Sequence, residues 1–283
     1  MMTRRHSLYW IAVVLALLVI TSVSVVGQVA PRGASGPAGP IPRRADGKPD
    51  LTGRWSGSLG SITHTNLIEE HAAGFGVLAG KSLIIDPPNG IIPYTPAALA
   101  QREENRLDIN AYRDPTSHCE FYGMARLHQF VQEFVYSDNN DIIIYANQHI
   151  TRVIPMDRRE HLPDSIRLWM GDPIGHWEGD TLVIDVTNFN GRTWMGFGDY
   201  HGADAHIVER FTMVNANRIN WTMTITNPKV FTRPWTMTSA APFARVQGRG
   251  DDLAEEDTCH EHNVDLVHLK NIYDQARQGS AKK

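Results

Sequence analysis

Two charged residues stand where a strand pattern calls for apolar ones. Over residues 207–213, alternation puts Ile207, Phe211 and Met213 on one face, and Glu209 falls among them. Over residues 150–154 the same alternation puts Arg152 between Ile150 and Ile154. A carboxylate and a guanidinium on inward faces are costly unless paired or hydrogen-bonded. They therefore either pair with each other or stand at the base of an apolar pocket. In the pocket, burial would raise the carboxylate's pKa toward general acid–base use. A one-residue slip in register would instead turn both outward.

Thirteen histidines against nine phenylalanines is a high count and directs attention to sites that move protons. His206 opens the strand of Glu209, and His201 lies in the loop before it, close to a polar turn bearing Asn188 and Asn190. Glu209, His206 and His201 are thus the candidate proton-transfer residues. Arg152, His149, Asn188, Asn190, Arg192, Trp194 and Tyr200 are the candidate ligand-binding residues, outlining a rim. Taken singly, each histidine reads equally well as a loop or surface residue.

His260-Glu261-His262 would put two imidazoles on one side of a strand, but a metal needs a third ligand from elsewhere. No H-E-x-x-H spacing, Gly-rich phosphate loop before a helix or G-x-S-x-G turn occurs, so no organic cofactor is expected and a metal is left open. Cys119 and Cys259, the two cysteines, read as a disulfide in an oxidising compartment.

These residues need elements to hold them. The central stretch, residues 175–194, reads GHWEGDTLVIDVTNFNGRTW: a short strand, a Gly179-Asp180 reversal suited to a type II′ turn, then a β-branched strand running into a polar turn. Similar hairpins are expected over 129–146 and 205–226, a strand over 149–154 beyond a bulge at Asn147-Gln148, and further strands at 53–57, 235–238 and 243–247. Thr95 and Pro96 begin the best helix signal, 95–107, with a charged face expected to be solvated. A short tail helix is expected around 264–270. Consecutive antiparallel strands with few helices predict an all-β domain over 51–283, an antiparallel meander closed as a calycin-like barrel, with a β-sandwich as the alternative. Seven tryptophans, among them Trp169, Trp177, Trp221 and Trp235, belong first to its core and could also line a cavity.

Before the domain, residues 1–30 read as an export signal, with Arg4 and Arg5 ahead of an apolar run; an uncleaved membrane anchor is the alternative. Residues 31–50 read as a flexible Pro/Gly/Ala linker. The formal net charge of −4, with no basic stripe, argues against a nucleic-acid partner.

The run from Ala45 through Lys48-Pro49-Asp50-Leu51 to Trp55, with Trp177-Glu178-Gly179-Asp180-Thr181-Leu182-Val183-Ile184-Asp185, resembles a large family of exported bacterial proteins. Segments similar to 206–211, Asn227-Pro228-Lys229 and Pro234-Trp235-Thr236 recur in it in the same order. The family has no assigned activity, so the resemblance implies export and a common fold and no chemistry. This chain departs from it at His260 and His262, where similar proteins tend to carry Asn, which counts against a metal role common to the family. The expected function is binding of a small, largely apolar molecule inside the barrel. The alternatives are a cofactor-independent lyase, isomerase or hydrolase using Glu209 and a histidine, and an envelope scaffold.

Overall fold

Inward side chains in this chain come at every second residue of long strands, and the strands wrap around them. The computed structural model describes residues 39–57, 67–73, 79–107, 112–129, 131–139, 141–146, 150–157, 159–246 and 264–280. All of them lie in one compact unit, Arg32–Lys283. Along the chain run β1 (Gly53–Ser56), β2 (Ile84–Asp86), α1 (Pro96–Asn105), β3 (Val131–Tyr136), β4 (Ile142–Ala146), β5 (Ile150–Ile154), β6 (Asp172–Glu178) and β7 (Thr181–Thr187). Then follow β8 (Trp194–Gly196), β9 (Asp199–Tyr200), β10 (His206–Asn215), β11 (Arg218–Thr226), β12 (Trp235–Thr238), β13 (Phe243–Arg245) and α2 (Val264–Ser280).

The main antiparallel sheet has the order β5-β4-β3-β1-β13-β11-β10-β7-β6 and curls until its two ends meet. At that seam the Gly175 N–H donates to Pro155 O at 2.8 Å, and the space a Gly175 side chain would fill holds Met156 and Ile154. The result is a nearly closed all-β barrel, as the alternation predicts. The wall forks at β11. Its first residues pair with β13 and its last with β12, and β12 in turn carries β2. β8 and β9 form a separate small hairpin.

The Gly179-Asp180 reversal has the expected chemistry. Gly179 has φ 59° and Asp180 has no positive φ, which is the type II′ pattern. Inside the barrel Trp55, Phe134, Phe211, Trp221 and Phe243 are buried, and Phe211 packs edge to face on Phe134 and Phe243, with centroids 5.3 and 6.0 Å away. Trp55 also joins the first strand to the last. Its indole N–H donates to Leu51 O at 2.8 Å, and the Arg245 guanidinium lies 4.2 Å over its ring.

Three expectations are corrected. The face of α1 is not wholly solvated: Arg102 is buried, donating to Asp199 and Glu69, because the helix docks on the β8–β9 hairpin through its charges. Residues 39–50, assigned to the linker, lie against the barrel, with the Tyr136 hydroxyl donating to Pro49 O at 3.1 Å and the Arg44 guanidinium 3.7 Å over the Tyr136 ring. The tail helix α2 continues to Ser280, ten residues beyond the expected end. Residues 1–30, and the bulge expected at Asn147-Gln148, fall outside the described residues. No described helix is long and apolar enough to cross a membrane.

Candidate functional site

Strand parity carries Glu209 and Arg152 into the interior, and there they meet. β10 alternates outward and inward from His206, so Ile207, Glu209, Phe211 and Met213 point in. β5 does the same with Ile150, Arg152 and Ile154. Arg152 Nη2 donates to Glu209 Oε2 at 2.5 Å, and the Trp221 indole N–H donates to Glu209 Oε1 at 3.2 Å. Both carboxylate oxygens are therefore engaged. The His128 ring stacks on Trp221, with centroids 5.1 Å apart and planes 12° apart.

His128 sits in a short 3₁₀ turn, Met124–Gln129, that caps this end of the interior. Its Nδ1 lies 2.9 Å from Ala125 O, and a carbonyl only accepts, so Nδ1 carries the hydrogen and Nε2 presents a lone pair. Burial pushes the imidazole down to about 4, which keeps it neutral. Gln132, inward on β3, donates to Leu127 O at 3.0 Å. Sequence reading singled out neither residue. The alternation of Gln132 with Phe134 on β3 carried the signal for one, whereas nothing in the pattern around His128 distinguishes it from any loop histidine.

Next to this interior lies a cleft of about 420 Å³ lined by Cys119, Glu120, Phe121, Tyr122, Ile150, Trp169 and Arg192. Ile150, inward on β5, lines it and packs with Leu127 and Ala146 in a small cluster apart from the main core. Arg192 is fastened at the rim: its guanidinium donates to Glu120 at 2.9 Å and lies 4.5 Å over the Trp169 ring. Phe121 completes an aromatic wall, its ring centroid 6.3 Å from that of Trp169. Cys119 ends a 3₁₀ turn in left-handed conformation, φ 59°, and is not a free thiol.

The other expected site residues are placed elsewhere. His206 points outward, on the opposite face of β10 from Glu209, and its Nε2 lies 2.9 Å from Asp185. The hydrogen bond to that carboxylate holds the imidazole above its ordinary value. On this outer wall a chain runs from Arg159 to Asp172, then to His161, Asp185 and His206, each step a contact of 2.5–3.0 Å. Asp172 also accepts from the Leu162 N–H at 2.9 Å, so the chain fastens the loop before β6 to the barrel.

His201 is buried with its edge against Phe189, centroids 4.7 Å apart, and its Nδ1 donates to Gly202 O at 2.9 Å. Burial pushes it down to about 4 as well. Asn188, buried with φ 60°, spends its amide on the carbonyls of Leu162, Pro163 and Ile166, each at 3.0 Å. Asn190 accepts from the Arg192 N–H at 3.0 Å in an Asx turn. Tyr200 stacks on Tyr94 and donates to Ala98 O of α1 at 3.4 Å, opposite Trp194 in the β8–β9 hairpin. The rim expected from sequence is thus dispersed, and among its described residues only Arg192 lines the cleft. His149, Cys259, His260 and His262 lie outside the described residues. Among the described residues, no group of three or more His, Cys, Asp or Glu side chains is placed to hold a metal.

Compared with protein-family models, curated proteins and solved structures, the chain finds no match. Fold and site together define an all-β barrel with a buried ion pair in its interior and an aromatic cleft beside it.

Proposed function

We propose that the protein is an exported β-barrel that binds a small, largely apolar molecule. The observation that carries the reading is the cleft of about 420 Å³ in which Phe121, Tyr122, Trp169 and Ile150 share the lining with Glu120, Cys119 and the paired Arg192. Pockets of a few hundred Å³ that combine aromatic walls with placed polar groups are where small ligands bind. The barrel's centre is filled by Trp55, Phe134, Phe211, Trp221 and Phe243, so the apolar body of the ligand belongs in the cleft, with the packed interior as its floor. Export, membership of the family that the hairpin motifs resemble, and a Cys119–Cys259 bridge are parts of the same reading. A bridge at Cys119 would hold the cleft wall in place.

The competing assignment of Glu209, His206 and His201 to proton transfer draws no support from their positions. His206 and Glu209 face opposite sides of one strand, and Glu209 is held by Arg152 and Trp221.

The test is native mass spectrometry on the exported, disulfide-intact protein, followed by titration with the neutral fluorescent apolar probe 1-anilinonaphthalene. We expect a co-purifying small molecule or saturable probe uptake that weakens at least tenfold in Trp169→Ala. A protein of bare-chain mass that takes up no probe would overturn the reading.

A further inference from the structure

Among the buried polar atoms of the described residues that have no hydrogen-bond partner, four belong to three interior side chains close to the ion pair: Arg152 Nε, Arg152 Nη1, His128 Nε2 and Gln132 Oε1. Their residues are 3%, 1% and 2% exposed for Arg152, His128 and Gln132. Buried polar groups left unmade are rare in folded proteins, and a group of them calls for an explanation.

The three side chains belong to one continuous patch. His128 stacks on Trp221, Trp221 donates to Glu209, and Glu209 holds Arg152. Gln132 is tied to Leu127, the residue before His128. None of the three side chains lines the cleft itself; the link between patch and cleft is Ile150. Arg152 follows Ile150 on the same inward face of β5, about 7 Å further along the strand.

The chemistry of the four atoms is mixed. Arg152 offers donors only, whereas Gln132 Oε1 and His128 Nε2 accept. The Arg152 charge is already balanced by Glu209 at 2.5 Å. A carboxylate entering here would meet Glu209 and two acceptor lone pairs, and an ammonium would meet the guanidinium. A neutral group that both accepts and donates matches all of them.

We propose that this patch recognises the neutral polar head of an amphiphile, a hydroxyl or primary amide, whose apolar body lies in the cleft. The inference rests on the small-molecule reading above and names the ligand class. The oxygen of the head accepts from Arg152, and its O–H or N–H donates to His128 Nε2 or Gln132 Oε1.

The test uses the full, disulfide-intact protein and three nine-carbon probes, 1-nonanol, nonanamide and nonanoate, titrated calorimetrically at pH 7.5. We expect the alcohol and the amide to bind at least tenfold more tightly than the carboxylate. His128→Phe and Gln132→Leu, with folding checked by near-UV circular dichroism, should bring the three probes within about threefold of each other. Equal affinities in the unaltered protein overturn the head-group inference while leaving the cleft reading standing; that comparison needs no variant to fold. Failure of all three probes together with failure of the anilinonaphthalene probe overturns both. A nonanoate preference overturns the inference in favour of an anionic ligand.

Discussion

Arg152 on β5 and Glu209 on β10 join 2.5 Å apart across the barrel interior, with β6 and β7 between their strands on the short way round. Each is at most 3% exposed along its side chain, so neither charge is solvated without the other. Removing one partner strands the other in an apolar surround, which costs about 3–5 kcal/mol. Replacing both with apolar side chains of similar volume removes the desolvation penalty as well. We therefore expect Glu209→Gln and Arg152→Met each to lower unfolding stability by several kcal/mol, and the double variant Arg152→Met/Glu209→Leu to recover most of it. Urea denaturation of the four proteins measures this; additive losses in the double variant would show that the pair does not act as a unit.

Two buried histidines make stability depend on pH. His128 and His201 are both pushed down to about 4 by burial, against about 6.5 in an unfolded chain. Between those values the unfolded state binds more protons, so stability rises with pH there and is lost as pH falls from 6.5 toward 4. The full shift corresponds to about 3 kcal/mol for each histidine. His206 has the opposite sign. Its value is raised by Asp185, so its contribution is complete below about 6.5 and fades as pH climbs through the raised value. Urea midpoints should fall between pH 7 and pH 5, and His128→Phe should flatten that fall by about half; an unchanged slope would remove His128 from the account.

The strands and the buried pair were legible for the same reason. A period of two assigns faces, and Glu209 and Arg152 broke the apolar series on theirs. The same parity already separates His206 from Glu209, because three residues apart on a strand means opposite faces, so nearness in sequence was a poor guide to grouping them. The cleft was harder to see. Phe121, Tyr122, Trp169 and Arg192 come from three loops, and no local period connects segments that meet only after the barrel closes. Asn188 looked like a working side chain because polar turns often carry function, yet its amide is consumed by three carbonyls of one loop. α1 was legible as a helix from Thr95 and Pro96. The burial of Arg102 was not, since its partner Asp199 lies 97 residues away.

Asn188 and Asp172 hold residues 159–171, the stretch that carries Trp169 to the cleft. Asn188→Ala removes the amide from Leu162, Pro163 and Ile166 and places a Cβ-bearing residue without that compensation at φ 60°. Three partly buried carbonyls lose their donor, and we expect a loss of about 1 kcal/mol. Asn188→Gly relieves the backbone and keeps the hydrogen-bond loss, so it should recover only the smaller, conformational part. Limited proteolysis should cut this loop faster in both variants, and probe binding at the cleft should weaken in step. Faster cutting with unchanged probe affinity would show that the loop's anchorage does not shape the cleft.

Barrel closure depends on one missing side chain. A Cβ at Gly175 would lie 2.3 Å from Met156 Sδ and 2.8 Å from Ile154 Cγ2, at the seam where the Gly175 N–H donates to Pro155 O. Methionine can swing aside, but Ile154 is fully buried and branched at Cβ, so the strands themselves must part. Gly175→Ala should cost about 1–3 kcal/mol, as overpacking does elsewhere. Shortening Met156 to Ala should relieve only part of that cost, and the remainder measures Ile154. Gly179 supplies the control. A Cβ there has nothing within 4 Å, so Gly179→Ala carries only the penalty of its φ of 59°, about 1–2 kcal/mol. The decisive readout is hydrogen exchange at the seam. Gly175→Ala should raise exchange of the Gly175-side amides of β6 above that of β7, while Gly179→Ala should not. Equal protection of β6 in the two variants would mean that the barrel is held shut by its core rather than by this contact.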